Sequence, residues 1–268
     1  MTTPRETNAI RTEHFALTYT GARDVEALAG VDVSFAENRL TTIIGPSGCG
    51  KSTLLKSLNR LHEINTAVDI SGEVYIGDQP LYDTDEPLPE IRRRVSYVPQ
   101  EPTPLPMSIY DNVAYGPRLH GDLSTAELDE RVEQSLRKVD LWEEVADRLE
   151  TPGAQLSRGQ IQRLCLARSL AVEPDVLLCD EVTSALDPVS AETVEETLES
   201  LKSEYTIVMV THSMSQARAL ADDVVFLYLG EVVEANDAES FFERPETERV
   251  REFLGGHDAV APAPIDPA

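Results

Sequence analysis

Basic side chains are scarce in this chain of 268 residues: 23 lysines and arginines stand against 48 aspartates and glutamates, for a formal net charge of -25. Such a field repels nucleic acid and anionic lipid headgroups, and so speaks against a free-standing DNA or RNA binder. Aromatic residues are also few, at 6%. Apolar positions nevertheless recur periodically along the chain, so the acidity is not that of a disordered tail. Cysteine is limited to Cys49, Cys165 and Cys179, with no C-x-x-C pair. Each lies inside a motif or an apolar segment and reads as a structural thiol. No apolar run approaches the length needed to span a bilayer, and the opening M-T-T-P-R-E-T has no apolar stretch of a secretory signal. A cytoplasmic location is expected, with any membrane role coming through a partner.

An acidic balance this strong suits a salt-rich, haloarchaeal-like cytoplasm, where screening reduces self-repulsion. The expected outcome is unfolding in low salt and recovery at molar KCl, followed by circular dichroism. A fold indifferent to salt overturns that reading.

The length suits one large domain, or a domain with a subdomain, with room for a sizeable core. Gly45 to Ser52 reads G-P-S-G-C-G-K-S, the phosphate-cradling pattern G-x-x-x-x-G-K-[S/T]. Leu40 to Ile44 before it suits a buried strand, and Ser52 to Leu61 after it has helical apolar spacing. Strand, glycine-rich turn and helix is the context this motif requires. Backbone N–H groups of the turn and helix start wrap nucleotide phosphates. Lys51 is the candidate for the β- and γ-phosphates and Ser52 for Mg²⁺.

A second cluster supports the first. Val176 to Glu181 reads V-L-L-C-D-E, an apolar strand that delivers two acids to the carboxyl edge of a sheet, where α/β ligand sites lie. Asp180 suits the metal shell, and Glu181 suits a general base or water-positioning role at the γ-phosphate. Alone, the pair would read equally well as a solvated strand end; Lys51 tips the balance. His212 follows the apolar strand T-I-V-M-V and Thr211 and can reach the same edge, although a lone histidine is more often a satisfied surface or core residue. Gln100, after Val98-Pro99, is a similar case, with an amide suited to Mg²⁺ or the attacking water. Ser157 is a natural N-cap for a helix. With Gly159 beside it, that helix start is also an anion site, placed to clamp a γ-phosphate held by a second subunit.

Strands are expected at 14–20, 31–35, 72–76, 94–98, 206–210 and around a tight hairpin at Gly230. Helices are expected at 108–115, from Ser124 with a Glu127 capping box, at 157–171, 189–201 and 215–220, and around Glu239 and Glu248. The segment 101–155 is mostly helical and interrupts stretches of strand character. Alternating strands and helices after Leu40 indicate an α/β core. Residues 1–8 and 255–268 read as loose tails flanking a single domain at 9–254, with a helical insert at about 101–171.

This ordered set of motifs resembles the ATP-binding cassette family, the motor subunits of membrane transporters, over nearly the whole chain. Gly45, Pro46, Ser47, Gly48, Cys49, Gly50, Lys51 and Ser52 look like its Walker A loop, with Thr53 following. Gln100 looks like the Q-loop, Leu156 to Gln160 like the signature, and Val176 to Glu181 like Walker B. Ser184 to Asp187 looks like the D-loop, and His212 like the switch histidine.

The resemblance implies a P-loop NTPase fold of the cassette type, with an N-terminal antiparallel β subdomain and an inserted helical subdomain. It implies ATP and Mg²⁺ as cofactors. It also implies a head-to-tail homodimer, in which the Walker motifs of one subunit and Ser157, Gly159, Gln160 and Asp187 of the other enclose each nucleotide. Tyr19 becomes the candidate to stack on adenine, with Phe15 or a plain core role as rivals. The stretches 106–118, 141–145, 162–170, 210–217 and 226–234 resemble the phosphate-import branch. That branch implies two integral-membrane permeases, an extracytoplasmic phosphate-binding protein, no nucleic acid, and a place on the cytoplasmic face of the membrane.

Two residues depart from the family pattern: Arg158 stands where the signature usually has glycine, and Val182 where proline usually follows the glutamate. Neither removes a catalytic group, so an active ATPase is expected. The competing readings are an importer ATPase for another oxyanion or a phosphonate, and, from a different class, a non-transport cassette ATPase. The single cassette and the acidic charge weigh against the latter.

Overall fold

The computed structural model describes residues 8–64, 67–121 and 123–255. In chain order its elements are β1 (Asn8–Tyr19), β2 (Val25–Ala36), β3 (Leu40–Ile44), α1 (Lys51–Ser57), β4 (Val68–Ile76), β5 (Gln79–Pro80), α2 (Leu88–Arg94), β6 (Val95–Val98), α3 (Ile109–His120) and α4 (Thr125–Lys138). There follow α5 (Trp142–Val145), α6 (Arg158–Leu170), β7 (Val176–Asp180), α7 (Pro188–Leu201), β8 (Thr206–Val210), α8 (Met214–Leu220), β9 (Asp223–Tyr228), β10 (Glu231–Asp237), α9 (Ala238–Glu243) and α10 (Glu248–Gly255). The tails expected at 1–8 and 255–268 lie outside the described residues, except that Asn8 opens β1 and Gly255 ends α10.

The chain divides into two compact units. One comprises the described residues up to Leu88 together with those from Thr206 onward; the other runs from Pro89 to Tyr205.

In the first unit, β2, β1, β4 and β5 form an antiparallel sheet in that order. From Val31 onward β2 alternates buried Val31, Val33 and Phe35 with exposed Asp32 and Ser34, the period of a strand with one face in the core. Within the same unit β3 pairs in parallel with both β8 and β9, and β10 returns antiparallel to β9. All five residues of β3 are buried, as befits a strand flanked on both edges. Below it, Phe241, Phe242 and Val250 from α9 and α10 join Ile44, Ala217, Val224 and Phe226 in one apolar cluster.

In the second unit, β6 runs parallel to β7, with Tyr97 opposite Leu178 and Val98 opposite Cys179. Helices α3, α4 and α6 pack on one another, and α6 also packs on β6 and α7. Buried Asn112 on α3 ties down the segment after Gln100. Its Oδ1 accepts the Leu105 N–H at 2.7 Å, and its Nδ2 donates to the Ser108 carbonyl at 2.8 Å.

Three local expectations are corrected. The helix read at 52–61 ends at Ser57, because Arg60 takes a left-handed φ of 56°. Its guanidinium makes paired bonds to Glu63 at 2.9 and 3.0 Å, which close a turn before the short 3-10 segment at Leu61–Ile64. The strands read at 14–20 and 31–35 start earlier, at Asn8 and Val25. The positive φ of 47° at His14 and the register shifts around it break the alternation that would have marked their full length. Helix α2 was not expected; it buries only Ile91, which leaves too little apolar periodicity to read.

Candidate nucleotide site

The first unit carries the phosphate loop. Strand β3 ends at Ile44, and Gly45 through Gly50 turn the chain into α1, whose first residue is Lys51. A Cβ on Gly45 would collide with the carbonyl oxygen of Leu227 in β9, and Gly45 has a φ of 150°. Glycine is therefore required at the point where the loop leaves the sheet. The loop is stitched to its surroundings by backbone bonds: Gly230 N–H donates to the Cys49 carbonyl at 2.9 Å, and Ala29 N–H donates to the Gly230 carbonyl at 2.9 Å. The Lys51 side chain is 5% exposed, and its Nζ donates to the carbonyls of Gly45 at 2.8 Å and Pro46 at 2.9 Å. The ammonium is thus held inside the loop it serves. Ser47 and Gly48 form the exposed tip, whereas Cys49 is buried. Burial raises the Cys49 thiol above its ordinary value, outweighing the nearby Lys51 charge, so it remains a neutral packing group.

Tyr19, at the end of β1, lies 3.2 Å through its hydroxyl from the Thr53 Oγ1 of α1. Phe15 is fully buried, with its ring 5.4 Å from that of Tyr82. Phe15 is therefore a core aromatic, and Tyr19 is the one beside the phosphate loop. His212 is exposed and follows β8, whose Val210 pairs with Ile43. Parallel pairing thus brings His212 and Gly45 out at the same edge of this sheet. Thr211 and Ser213 fix the backbone on either side: Ser213 N–H donates to the Thr211 Oγ1 at 3.0 Å, and the Ser213 Oγ caps α8 through Gln216 N–H at 3.2 Å.

The second unit carries the acids. Strand β7 is buried throughout and ends in Asp180, itself 5% exposed. The Tyr97 hydroxyl donates to Asp180 Oδ2 at 2.8 Å. Burial first, and then the Asp180 carboxylate, push the Tyr97 phenol well above its ordinary value, so it remains a protonated donor. Glu181 turns out of the strand with a left-handed φ of 49°. Gln100 Nε2 donates to Glu181 Oε2 at 3.0 Å and to Ser184 Oγ at 3.3 Å. Val182, where the family pattern usually has proline, is buried and packs in the core.

Ser157 caps α6 in a full capping box. Its Oγ accepts the Gln160 N–H at 3.3 Å, and Gln160 Oε1 accepts the Ser157 N–H at 2.9 Å. The Gln160 amide also donates to Glu144 at 2.6 Å, and Arg163 Nη2 reaches the same carboxylate at 2.7 Å. Glu144 on α5 is thus an anchor of the α6 start that the sequence reading passed over. A Cβ on Gly159 would stand 2.7 Å from the Ser190 Cβ, so glycine lets the starts of α6 and α7 pack together. Arg158 at the first helical position is exposed. Asp187 caps α7: Ser190 N–H donates to Oδ1 at 3.1 Å, and Ser190 Oγ to Oδ2 at 2.7 Å. These bonds hold its carboxyl below the usual range.

Each unit by itself offers oxygen donors of the kind Mg²⁺ takes. In the second unit the Asp180 carboxylate and the Gln100 amide offer hard oxygens, and in the first the Ser52 hydroxyl at the start of α1 offers another. Among the described residues no group of three or more His, Cys, Asp or Glu could hold a metal alone, and Mg²⁺ typically uses one or two carboxylates plus substrate phosphates.

The model of the ABC transporter family matches residues 28–184. The chain belongs to the ABC transporter family. Among its relatives of this family, the phosphate import ATP-binding protein PstB of Thermotoga maritima is 49% identical over 230 residues, 86% of this chain and 92% of that protein. PstB 3 of Streptococcus pneumoniae serotype 4 is 46% identical over 87% of this chain and 93% of its own. The dimeric ATP-binding cassette MJ0796, in a post-hydrolysis state bound to ADP and Pi, superposes with a TM-score of 0.73 at 31% identity, covering 85% of this chain and 98% of its own. CbiO1 of Clostridium perfringens, part of the ABC transporter complex cbiONQ, has a TM-score of 0.75 at 25% identity, over 92% of this chain and 95% of its own. The ABC ATPase fold, with its N-terminal antiparallel sheet, is thereby established for this chain.

Proposed function

We propose that this chain is the ATP-hydrolysing motor of a membrane importer whose cargo is inorganic phosphate. The observation that carries the cargo is the 49% identity, over 86% of the chain, to a protein named for phosphate import. In this reading residues 9–254 work as one nucleotide-binding domain, with the helices of 101–171 as its insert. No helix among the described residues is long and apolar enough to cross a membrane. In this reading passage through the bilayer belongs to two permease partners, an extracytoplasmic phosphate-binding protein delivers the cargo, and the motor works at the cytoplasmic face.

Each residue then has a task. Tyr19 receives the adenine. The backbone of Gly45, Pro46, Ser47, Gly48, Cys49 and Gly50, with Thr53, encloses the phosphates, and Lys51 turns its ammonium from the loop carbonyls to the β- and γ-phosphates. Ser52, Asp180 and Gln100 are the residues that would hold Mg²⁺, which when bound would neutralise phosphate charge. Glu181 accepts the proton of the attacking water, with Gln100 orienting its carboxylate, and His212 contacts the γ-phosphate. Ser157, Gly159, Gln160 and Asp187 of a second copy complete the site, so that ATP binding favours a closed dimer and product release an open one. Arg158, exposed at the start of α6, adds positive charge at that surface.

The test is phosphate uptake by proteoliposomes at high KCl. They contain this chain and its permeases, with ATP inside and the binding protein outside. The expected result is ATP-dependent uptake that Glu181→Gln abolishes. Hydrolysis without phosphate uptake overturns the cargo and moves it to another oxyanion.

A further inference from the structure

We propose that Tyr97 is a positioning residue for Asp180, fixing the orientation in which that carboxylate meets the Mg²⁺ of a bound nucleotide. The inference deepens, and rests on, the assignment of Asp180 to the metal. Tyr97 belongs to none of the nucleotide motifs, and the sequence places it 83 residues from its partner. The sheet brings them together. In the parallel pair β6–β7, Tyr97 stands opposite Leu178, and Asp180 lies two residues further along on the same face. The aromatic side chain is long enough to bridge to this diagonal neighbour. Its hydroxyl donates to Asp180 Oδ2 at 2.8 Å, the usual length for an O–H···O bond, and the carboxylate is 5% exposed.

A bond to one oxygen of a buried carboxylate restrains how that carboxylate can turn. A phenol does so without bringing a charge. An arginine or lysine in the same place would hold the acid equally well, but its cation would oppose the metal. Hydrogen-bond partners of metal-ligating carboxylates tune metal affinity in this way, and their loss typically costs about 10–100-fold in metal binding.

Tyr97→Phe removes the donor and keeps the ring. The experiment uses the full-length chain at molar KCl and compares wild type, Tyr97→Phe and Asp180→Asn. Mn²⁺ affinity is measured by electron paramagnetic resonance with the nonhydrolysable analogue AMP-PNP present, and AMP-PNP affinity is measured separately in EDTA. For Tyr97→Phe the expected result is Mn²⁺ binding weakened about tenfold and metal-free AMP-PNP affinity unchanged. Asp180→Asn should lose at least as much Mn²⁺ affinity. A loss in Asp180→Asn with none in Tyr97→Phe overturns the role of Tyr97 alone. Unchanged Mn²⁺ affinity in both variants overturns the metal assignment of Asp180 and this proposal with it. A Tyr97→Phe variant that loses metal-free AMP-PNP affinity to the same degree makes the tyrosine a general structural support and overturns the proposal.

Discussion

Glu181→Gln is expected to lower steady-state ATP hydrolysis by about 10²–10⁴-fold, the range that a positioned general base contributes, while ATP still binds. The substitution keeps the size of the side chain and its place at the exit of β7. An amide can still meet the Gln100 Nε2 that now lies 3.0 Å from Glu181 Oε2, through its carbonyl oxygen, but it cannot take a proton from water. The substitution leaves Lys51 and the phosphate loop, the proposed phosphate holders, unchanged. Hydrolysis measured beside nucleotide binding separates the two roles. Equal hydrolysis by variant and wild type would remove Glu181 from the chemistry.

Gly45→Ala should be the most damaging single methyl group in the phosphate loop. It would collide with the Leu227 carbonyl and stand 2.9 Å from Cys49 Sγ, at a φ of 150°. Leu227 cannot give way cheaply, because β9 is paired on one side with β3 and on the other with β10. Overpacking against a fixed backbone costs about 3 kcal/mol, or roughly 10 °C of melting temperature in a chain of this size. The loop must also move to relieve the clash, which displaces the carbonyls that now hold Lys51. ATP affinity should therefore fall at least about tenfold, or 1.4 kcal/mol. Thermal melting and nucleotide titration check both effects. A variant that melts and binds like wild type would show that the loop does not depend on this close approach.

Much of the site was legible because its motifs are contiguous. Gly45 to Ser52 is one unbroken stretch of sequence, and β3 and β8 have the expected bounds, since both are short runs of β-branched and apolar residues suited to burial on both faces. The capping box at Ser124 and the N-cap at Ser157 were legible because a cap and its partners lie within three residues of one another; the full box that Gln160 closes at Ser157 was seen only in the structure. Helix α2 and the early starts of β1 and β2 were not, because a bulge or a single buried residue leaves no period to read.

The sequence by itself determined the family of this protein, its phosphate loop and the acids of its strand end, because these depend on neighbours along the chain. The tertiary structure decided which groups meet across long separations. Gln100 reaches Glu181 over 81 residues and Tyr97 reaches Asp180 over 83. Gly45 is confined by Leu227, and Phe15 is withdrawn into the core while Tyr19 is left beside Thr53. Strand register and packing set those encounters, and neither is written in the spacing of any one segment.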